Sequence, residues 1–295
     1  MAERTPPRKV VLITGATAGI GQACAEHLAS RGWRVFGAGR RATASTTSSG
    51  IEMLPIDVDD EVSVRTCVDG ILSKAARLDA VINNAGFSTR GAIEDTTIEA
   101  AKAQFETNFF GVLRVCQAVL PALRAGGGGY IINISSLAGL VGLPFTGLYS
   151  ASKFALEGVS ESLRLEARPF GVHVVLVEPG DFQSEINAKR RIFTSKESAY
   201  QTAFEKLLQR RTRDETSAPT PEPVAQLIER ILNCRRPKTR YAIGMLRQRI
   251  LVPAKRFLPQ HMFEWLFRRA MGLCLAVGFG TRSRSAINCF AVWRR

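Results

Sequence analysis

The 295-residue sequence lacks the paired cysteines and histidines of metal and redox sites. Its six cysteines form no Cys-x-x-Cys pair, and its three histidines do not complete a four-ligand set at zinc-binding spacing. A zinc centre or a redox dithiol is therefore not predicted, and we expect no metal. Cys24 and Cys116 lie in apolar helical patterns and are predicted to be buried small hydrophobic side chains. Free thiols suit a reducing compartment, which favours a cytoplasmic protein.

The sequence also lacks a long hydrophobic run. The most apolar stretch, residues 270–279, has ten residues, whereas a helix that crosses a bilayer needs about 20. Residues 1–9 carry charges and two prolines and lack an apolar core of about 7–15 residues, so a signal peptide is not expected. Hydrophobic residues make up 45% and charged residues 22% of the chain, which excludes a wholly disordered or collagen-like protein.

Acidic residues are scarce in the last part of the chain. Residues 1–180 hold 17 basic and 17 acidic residues, whereas residues 181–295 hold 23 basic and 9 acidic ones, so the whole net charge of +14 lies there. Such a region suits an anionic partner (phosphate, lipid headgroups or nucleic acid) or forms a solvated basic face without a partner. No nucleic-acid-binding motif accompanies the charge, so a specific nucleic acid is not predicted.

Short β-branched runs alternate with longer amphipathic runs through the first 180 residues. Strands are predicted at residues 10–13, 34–38, 51–55, 80–82, 130–135 and 172–177. Helices are predicted at residues 19–30, 59–76, 98–123 and 149–168. Continuously apolar strands that alternate with helices indicate a parallel sheet covered on both faces. The predicted fold class is therefore α/β, a Rossmann-type doubly wound parallel sheet in a single domain.

The alternation ends after the sixth predicted strand. Residues 181–220 are polar, basic and rich in serine and threonine, and are predicted to form a long substrate loop. A helix at 223–232 and a last strand at 241–243 complete a catalytic domain placed at residues 1–245. Residues 246–295 are predicted to form a basic, partly helical C-terminal extension and tail. This extension either lies in a bilayer interface or packs on the domain or on a second subunit.

A glycine-rich turn joins the first strand to the first helix. The segment from Thr14 to Gly21 has the spacing Gly-x-x-x-Gly-x-Gly, which begins at Gly15 and has Gly19 in the middle. Glycines allow a tight turn and close approach of a pyrophosphate, and a helix N-terminus presents free N–H groups to the anion. The turn predicts a dinucleotide site, and a tight turn that binds nothing is the alternative.

A tyrosine and a lysine one helical turn apart provide a candidate proton donor. Tyr149 and Lys153 have i, i+4 spacing, so they share one helix face. The lysine cation is expected to lower the pKa of the Tyr149 phenol from its usual value of about 10, so that the phenol exchanges a proton with a carbonyl or an alcohol. Ser136, at the end of the preceding strand, is predicted to hold the substrate oxygen, with Ser135 as its rival.

Several of these motifs occur in the order found in one enzyme family. They are Thr-Gly-x-x-x-Gly from Thr14, Asn83-Asn84-Ala85-Gly86, Ser136, Tyr149 to Lys153, and Pro179-Gly180. Over about residues 8–245 the chain resembles the short-chain dehydrogenase/reductase family. The segment from residue 246 onward more loosely resembles extensions in its hydroxysteroid- and retinol-dehydrogenase-like branch.

The resemblance implies roles for individual residues. Tyr149 is the implied general acid/base, Ser136 and Lys153 act with it, and Asn108 matches the fourth catalytic position, which orders a water in a proton relay through Lys153. The residues implied to bind the cofactor are Gly15, Thr17, Gly19, Ile20, Gly21, Asp57, Val58, Asn84, Ala85, Gly86, Tyr149, Lys153, Pro179, Gly180 and Ser184, with Asn83 beside them. Asp57 matches the adenine contact. Family members are commonly homodimers or tetramers.

Two arginines at the end of the second strand predict which nicotinamide cofactor is used. Arg40 and Arg41 follow Gly39, and no acid stands beside them in the sequence to bind a free ribose 2′-hydroxyl. Guanidinium groups bind phosphate in a bidentate fork, so NADP(H) is predicted. Because NADPH is normally kept reduced in cells, carbonyl reduction is the favoured direction.

The predicted substrate is a bulky lipophilic ketone or aldehyde that is steroid-, retinoid- or acyl-lipid-like. The residues expected to wall its apolar pocket are Leu143, Pro144, Phe145, Phe182, Ile186 and Phe193. One alternative is an NAD(P)-dependent alcohol dehydrogenase that works in the oxidative direction. The other is a non-catalytic NADPH-binding scaffold or sensor, against which the intact set of Asn108, Ser136, Tyr149 and Lys153 argues.

Overall fold

The computed structural model describes residues 8–183, 190–195 and 197–272. Its main sheet has eight strands: β1 (Val10–Thr14), β2 (Arg34–Gly39), β3 (Ser45–Thr46), β4 (Glu52–Pro55), β5 (Ala80–Asn83), β7 (Gly129–Ile134), β8 (Val172–Pro179) and β10 (Arg240–Ile243). Their order across the sheet is β3, β4, β2, β1, β5, β7, β8, β10. All neighbours run parallel except β3, which pairs antiparallel with β4. A second sheet pairs β6 (Thr89–Gly91) with β9 (Arg191–Phe193) in parallel.

The helices cover both faces of the main sheet. They are α1 (Gly19–Ser30), α2 (Glu61–Ala75), α3 (Ile98–Phe105), α4 (Gly111–Ala125), α5 (Gly147–Ala167), α6 (Gln201–Thr216), α7 (Glu222–Leu232), α8 (Leu246–Ala254) and α9 (Gln260–Ala270). Successive strand residues point to opposite faces, so Val10 and Leu12 pack with α2, α4 and α5, whereas Val11 and Ile13 pack with α1 and α7. The predicted doubly wound α/β fold is confirmed.

Two of the cysteines sit in these cores as predicted. Cys24 of α1 and Cys116 of α4 are buried, one on each face of the sheet. Burial raises the pKa of each thiol to about 12, so both remain protonated at neutral pH. They act as small hydrophobic side chains in the core.

The chain changes direction across the sheet between β1 and β5. From β1 the chain proceeds to β2 and β4 on one side and then returns to β5 on the other. In open α/β sheets, ligands bind in the crevice outside the carboxyl ends of such neighbouring strands. The ends of β1 and β5 therefore mark the place where a ligand site is expected.

Two predicted segments differ from the structure. The helix predicted at residues 98–123 is divided into α3 and α4 by a π-helical turn at Glu106–Phe110, a local rearrangement that often occurs at functional sites. The loop predicted at residues 181–220 was wrong over much of its length, because it contains β9 and the 16-residue helix α6. Phe204 and Leu207 of α6 are buried, so one side of this helix packs on the domain.

Helices α8 and α9 pack on the domain. Phe263 and Phe267 of α9 are buried in a small apolar cluster with Leu137 and Val141, which follow β7. Within the part of the chain that the structure describes, no helix has both the length and the apolar character needed to span a bilayer.

Candidate active site

The glycine-rich turn after β1 has a backbone that lets a ligand approach closely. Gly15 and Gly19 have φ angles of +67° and +56°, in the left-handed region that favours glycine. A Cβ atom on Gly15 would lie 2.9 Å from the Cα of Ala85. Among the described residues, no side chain caps the N-terminus of α1, which leaves its first N–H groups for an anion. These features fit a pyrophosphate.

Hydrogen bonds hold this turn against the segment that follows β5. The Thr14 hydroxyl oxygen accepts from the N–H groups of Asn84 at 3.0 Å and Ala85 at 3.1 Å. The Asn84 side-chain amide donates to the carbonyl oxygens of Thr14 at 3.0 Å and Gly15 at 3.1 Å. Asn84 therefore fixes the shape of the turn.

Most of the predicted cofactor residues meet in one cleft at the ends of β1, β2 and β5. The cleft is lined by Gly15, Thr17, Gly19, Ile20, Arg40, Arg41, Val58, Asn84, Ala85 and Gly86, with Ala18, Gly39, Ile56, Phe87 and Thr107. Gly21 packs against the turn itself, where a Cβ would lie 2.4 Å from the Asn84 amide nitrogen.

Asp57 and Asn83, also predicted at the cofactor site, are not among the residues that line this cleft. Asp57 turns to its own backbone, because its Oδ1 accepts from the N–H of Asp59 at 3.1 Å. Asn83 is buried in the sheet, where its side-chain amide donates to Asn133 Oδ1 at 2.9 Å. Ser184 lies outside the described residues. The adenine contact of Asp57 stays a prediction, whereas Asn83 has an internal structural role.

An acid lies near Arg40, which the local sequence did not indicate. Asp59, which follows β4, has its Oδ2 at 4.0 Å from Arg40 Nη1 and accepts a hydrogen bond from the Thr107 hydroxyl at 2.9 Å. Burial raises the pKa of Asp59, and the Arg40 charge opposes this shift. The Arg40 side chain remains 56% exposed, so its guanidinium is accessible to a phosphate in the cleft.

A second cavity of about 1210 Å³, open to solvent, adjoins the cofactor cleft. The two share Ile20, Asn84, Gly86 and Phe87. All four predicted catalytic residues line this cavity, namely Asn108, Ser136, Tyr149 and Lys153, together with Pro179 and Gly180. The structure thus brings together side chains that are up to 45 positions apart, from the π-helical turn to α5.

Ser136 rather than Ser135 is the serine that reaches the tyrosine. Both residues line the cavity, but of the two only the Ser136 hydroxyl interacts with the Tyr149 phenol so as to lower its pKa, while it also donates to the Pro179 carbonyl oxygen at 3.3 Å. Ser136 also caps the short 3-10 helix Leu137–Gly139 by accepting from the Ala138 N–H at 3.1 Å. This cap orients the hydroxyl beside the phenol.

The pKa of Tyr149 shifts upward, opposite to the prediction. Burial raises this pKa, and the hydrogen bond with Ser136 and the positive charges of Arg211 and Arg90 offset only part of the effect. The Lys153 Nζ lies 5.9 Å from the centroid of the Tyr149 ring and donates to the Ile134 carbonyl oxygen at 2.7 Å, and Lys153 is not among the causes of the shift. A raised pKa keeps the phenol protonated, which is the form that donates a proton to a carbonyl.

Lys153 and Asn108 are held by the backbone around the cavity. Burial lowers the pKa of Lys153 to about 8, while the Glu157 carboxylate opposes the shift. The Asn108 amide donates to the Phe87 carbonyl oxygen at 3.0 Å, and its Oδ1 accepts from the Phe87 N–H at 3.1 Å. The predicted role of Asn108 in ordering a water stays a prediction.

One wall of the cavity is apolar. It is formed by Leu137, Val141, Leu143, Phe182, Val252, Phe267 and Met271. Leu143 and Phe182 were predicted there, but Pro144, Phe145 and Phe193 are not among the lining residues. Phe145 instead packs on Phe204 of α6, with ring centroids 5.6 Å apart. Ile186 lies outside the described residues.

Sequence reasoning missed the charged side of the same cavity. Arg90, Asp181 and Arg211 line it together with Gln248. Asp181 directly follows Pro179-Gly180 in the sequence. Arg90 is placed by the pairing of β6 with β9, and Arg211 by helix α6, in a segment predicted to be a loop. No local pattern marks either arginine as part of the site.

Known proteins are similar to this chain in sequence and in fold. The model of the family described as short chain dehydrogenase matches residues 9–194. The chain is 39% identical over 262 residues to 3-ketodihydrosphingosine reductase from Bacteroides thetaiotaomicron, with 88% of this chain and 97% of that protein covered. It is 32% identical over 288 residues to dehydrogenase/reductase SDR family member 7B from Xenopus laevis, with 93% and 85% covered. A short-chain dehydrogenase from Streptomyces avermitilis aligns with a TM-score of 0.76 and 29% identity over 91% of this chain and 99% of that one.

The chain therefore belongs to the short-chain dehydrogenase/reductase family. As a member, it is an oxidoreductase that uses a nicotinamide dinucleotide, NAD(H) or NADP(H). The glycine turn, the uncapped start of α1 and the cleft beside them fit the phosphates of such a cofactor. Family members are typically oligomeric and bind small-molecule substrates.

Proposed function

We propose that this protein reduces the carbonyl of a bulky lipophilic ketone or aldehyde with NADPH. The observation that carries the proposal is the cavity in which the Tyr149 phenol and its Ser136 partner face an apolar wall, next to a cleft that contains Arg40 and Arg41. The similarity to a protein named 3-ketodihydrosphingosine reductase, whose named substrate is a long-chain ketone, supports a lipid-like substrate.

The proposed reaction uses the site residues in defined roles. Ser136 and Tyr149 hold the carbonyl oxygen, and the bound cofactor supplies a hydride to the carbonyl carbon. Tyr149 then gives its proton to the oxygen, which completes the alcohol. Lys153, whose pKa is about 8, is the residue proposed to return a proton to the phenol, and Asn108 holds the backbone at Phe87. A lipophilic chain bound along the apolar wall would displace water from that side of the reacting carbon.

The preference for NADPH is proposed to come from Arg40 and Arg41. In fluorescence titrations, wild type should bind NADPH tightly and NADH weakly, and Arg40→Ala/Arg41→Ala should lose about 10- to 100-fold in NADPH affinity with little change for NADH, because only NADPH carries a 2′-phosphate. Arg235 and Arg236 are also two exposed arginines that are neighbours in the sequence, so Arg235→Ala/Arg236→Ala is the matched control and should leave NADPH affinity unchanged. Equal affinity of wild type for both cofactors would overturn the assignment and favour alcohol oxidation.

Measurement of substrate turnover then distinguishes the proposed enzyme from the alternative, a non-catalytic NADPH sensor. With saturating NADPH, long-chain ketones and steroid or retinoid carbonyls should cause NADPH consumption, whereas short ketones such as acetone should react far more slowly because they leave the apolar wall uncovered. Tight NADPH binding without consumption across the whole panel would favour the scaffold or sensor.

The same helices that line the cavity carry an exposed apolar surface, which we propose to contact an anionic membrane. Its exposed hydrophobic residues are Leu246, Ile250, Phe257, Met262, Trp265 and Leu266, with Arg249, Arg256, Arg268 and Arg269 exposed among them. Aromatic and basic side chains together suit a headgroup interface. Val252 and Phe267 of these helices line the cavity, so the same two helices carry the exposed surface and part of the cavity wall.

Vesicle sedimentation tests this surface. Wild type should sediment with vesicles that contain an anionic lipid and lose this binding in high salt, and Phe257→Ser/Trp265→Ser should remove it. Val62→Ser/Ile98→Ser changes two exposed apolar residues elsewhere and should leave it intact. If the Phe257/Trp265 variant instead halves the mass measured by light scattering, the surface is an interface between subunits.

A further inference from the structure

Three arginines gather on the charged side of the cavity beside Tyr149. Arg90 of β6 and Arg211 of α6 line the cavity itself, and Arg190 lies behind them. Their carboxylate partners are Glu215, which pairs with both Arg90 and Arg190, and Asp181, which pairs with Arg211 at 3.3 Å. These five groups carry three positive and two negative charges, so one positive charge is in excess.

Both carboxylates of this cluster form ion pairs with the arginines. Glu215 contacts Arg90 through Oε1 and Arg190 through Oε2. Asp181 contacts Arg211 through Oδ1 and accepts from the Gln248 amide through Oδ2 at 2.7 Å. Each carboxylate oxygen thus has one partner within the described part of the chain, and these contacts do not reach all the arginine donors.

Within the described part of the chain, Arg190 of this cluster has one buried donor without a hydrogen-bond partner, Nη1, and Arg90 has two. The Arg90 side chain is only 7% exposed, yet Nε and Nη1 have no hydrogen-bond partner within the described part of the chain. Leaving guanidinium N–H groups buried and unpaired is unfavourable, and burial together with Arg211 and Arg190 disfavours the charge of Arg90. Arg90 therefore combines a place on the cavity wall with buried donors that no described residue satisfies.

We propose that Arg90 and Arg211 bind an oxyanion, a phosphate or a carboxylate, that is part of the ketone substrate. The proposal rests on the carbonyl reduction proposed above and specifies the chemistry of its substrate: an apolar chain along the Leu143 and Phe267 wall, a carbonyl at Tyr149, and an anionic group at the arginines. Arg90, Arg211 and Tyr149 line the same cavity, so one molecule can carry both the anionic group and the carbonyl.

The test compares substrates that differ only in charge. Three long-chain ketones with the same chain, ending in a phosphate, a carboxylate or a methyl ester, are assayed with saturating NADPH. Wild type should show a kcat/KM for one of the anionic ketones about 10- to 100-fold above that of the ester, and Arg90→Met and Arg211→Gln should each collapse this ratio. Which anion gains more distinguishes phosphate from carboxylate.

Arg213→Gln is the matched control, because Arg213 lies exposed on the same helix as Arg211. It should retain the wild-type ratio, since it removes the same charge from the surface without touching the cavity. Equal kcat/KM for all three ketones in wild type, or an equal drop in the ratio in Arg213→Gln, would overturn the subsite. Arg211→Gln covers the case in which Arg90→Met fails to fold, because Gln248 still holds Asp181.

Direct binding separates failure of the subsite from failure of the proposed reaction. Octyl phosphate, octanoate and octanol are titrated calorimetrically into the NADPH complex. Binding of an anion but not of octanol, with loss in Arg211→Gln, would support the subsite even if no ketone turned over. Equal binding of all three would reject it while carbonyl reduction remained intact.

Discussion

Replacing Tyr149 by phenylalanine should lower kcat for carbonyl reduction by about 10²- to 10⁴-fold while NADPH binding is retained. The substitution removes only the phenol oxygen, which is hydrogen-bonded to Ser136 and is the proton donor in the proposed reaction. The ring keeps its place on α5, so the cavity should keep its shape. The measurement is steady-state NADPH consumption, with cofactor affinity taken from fluorescence titration.

The matched control is Tyr130→Phe. Its hydroxyl donates to the Cys234 carbonyl oxygen at 3.0 Å, on another surface of the molecule, so its loss should leave kcat near that of wild type. A Tyr149→Phe variant with a kcat close to that of Tyr130→Phe would show that another group gives the proton. Lys153 would then be the next donor to test, because its pKa of about 8 lies closest to neutrality.

The sheet could be predicted from the sequence because its signals are local. Val11 and Ile13 are fully buried in a parallel strand with neighbours on both sides, and such strands read as continuous apolar runs. The glycine turn is equally local, since positive φ angles at Gly15 and Gly19 demand glycine. The motifs that follow β5, β7 and β8 were placed by their position after these strands.

Helix α6 was not predicted from the sequence because most of its residues are polar. Only Phe204, Leu207 and Glu215 are buried among its 16 residues, so the apolar periodicity is short. Its position depends on distant contacts, such as Phe204 on Phe145 and the pairing of Glu215 with Arg90. Arg90 and Glu215 are 125 positions apart in the sequence. A short stretch of sequence therefore cannot show that they pair.

The direction of the Tyr149 pKa shift also could not be predicted from the sequence. The i, i+4 spacing correctly places Lys153 one turn away, with its Nζ 5.9 Å from the Tyr149 ring centroid. Spacing does not specify the rotamer, however, and the ammonium donates to the Ile134 carbonyl oxygen instead. Burial then dominates the shift of the phenol.

Arg240 joins the last strand of the sheet to the helix that carries Tyr149 and Lys153. Its guanidinium donates to Glu157 and Glu161 of α5 and, at 2.8 Å, to Glu178 of β8. Glu157 and Glu178 are buried, with side chains 7% and 4% exposed. Burial raises the pKa of both carboxyls, and Arg240 works against this shift. The arginine is thus the counter-charge that lets two buried carboxylates stay ionised.

Arg240→Met should therefore lower the free energy of unfolding at neutral pH by about 3 kcal/mol, because it leaves buried carboxylates without their cation. This is the lower end of the range for buried pairs, since the Arg240 side chain is itself 31% exposed. Urea unfolding measures the loss, and Arg236→Met, an exposed residue in the preceding loop, should stay within about 0.5 kcal/mol of wild type.

The loss of unfolding free energy in Arg240→Met relative to wild type, measured as a function of pH, shows what causes it. Without the arginine, the folded-state pKa values of Glu157 and Glu178 should rise further above their unfolded values, because the opposing charge is gone. A carboxyl with a raised folded-state pKa takes up its proton in the folded state first, so folding gains stability as the pH falls. The deficit relative to wild type should accordingly be largest at and above neutral pH and shrink under mildly acidic conditions. A deficit that stays constant with pH would attribute the loss to packing of the arginine side chain rather than to the uncompensated carboxylates.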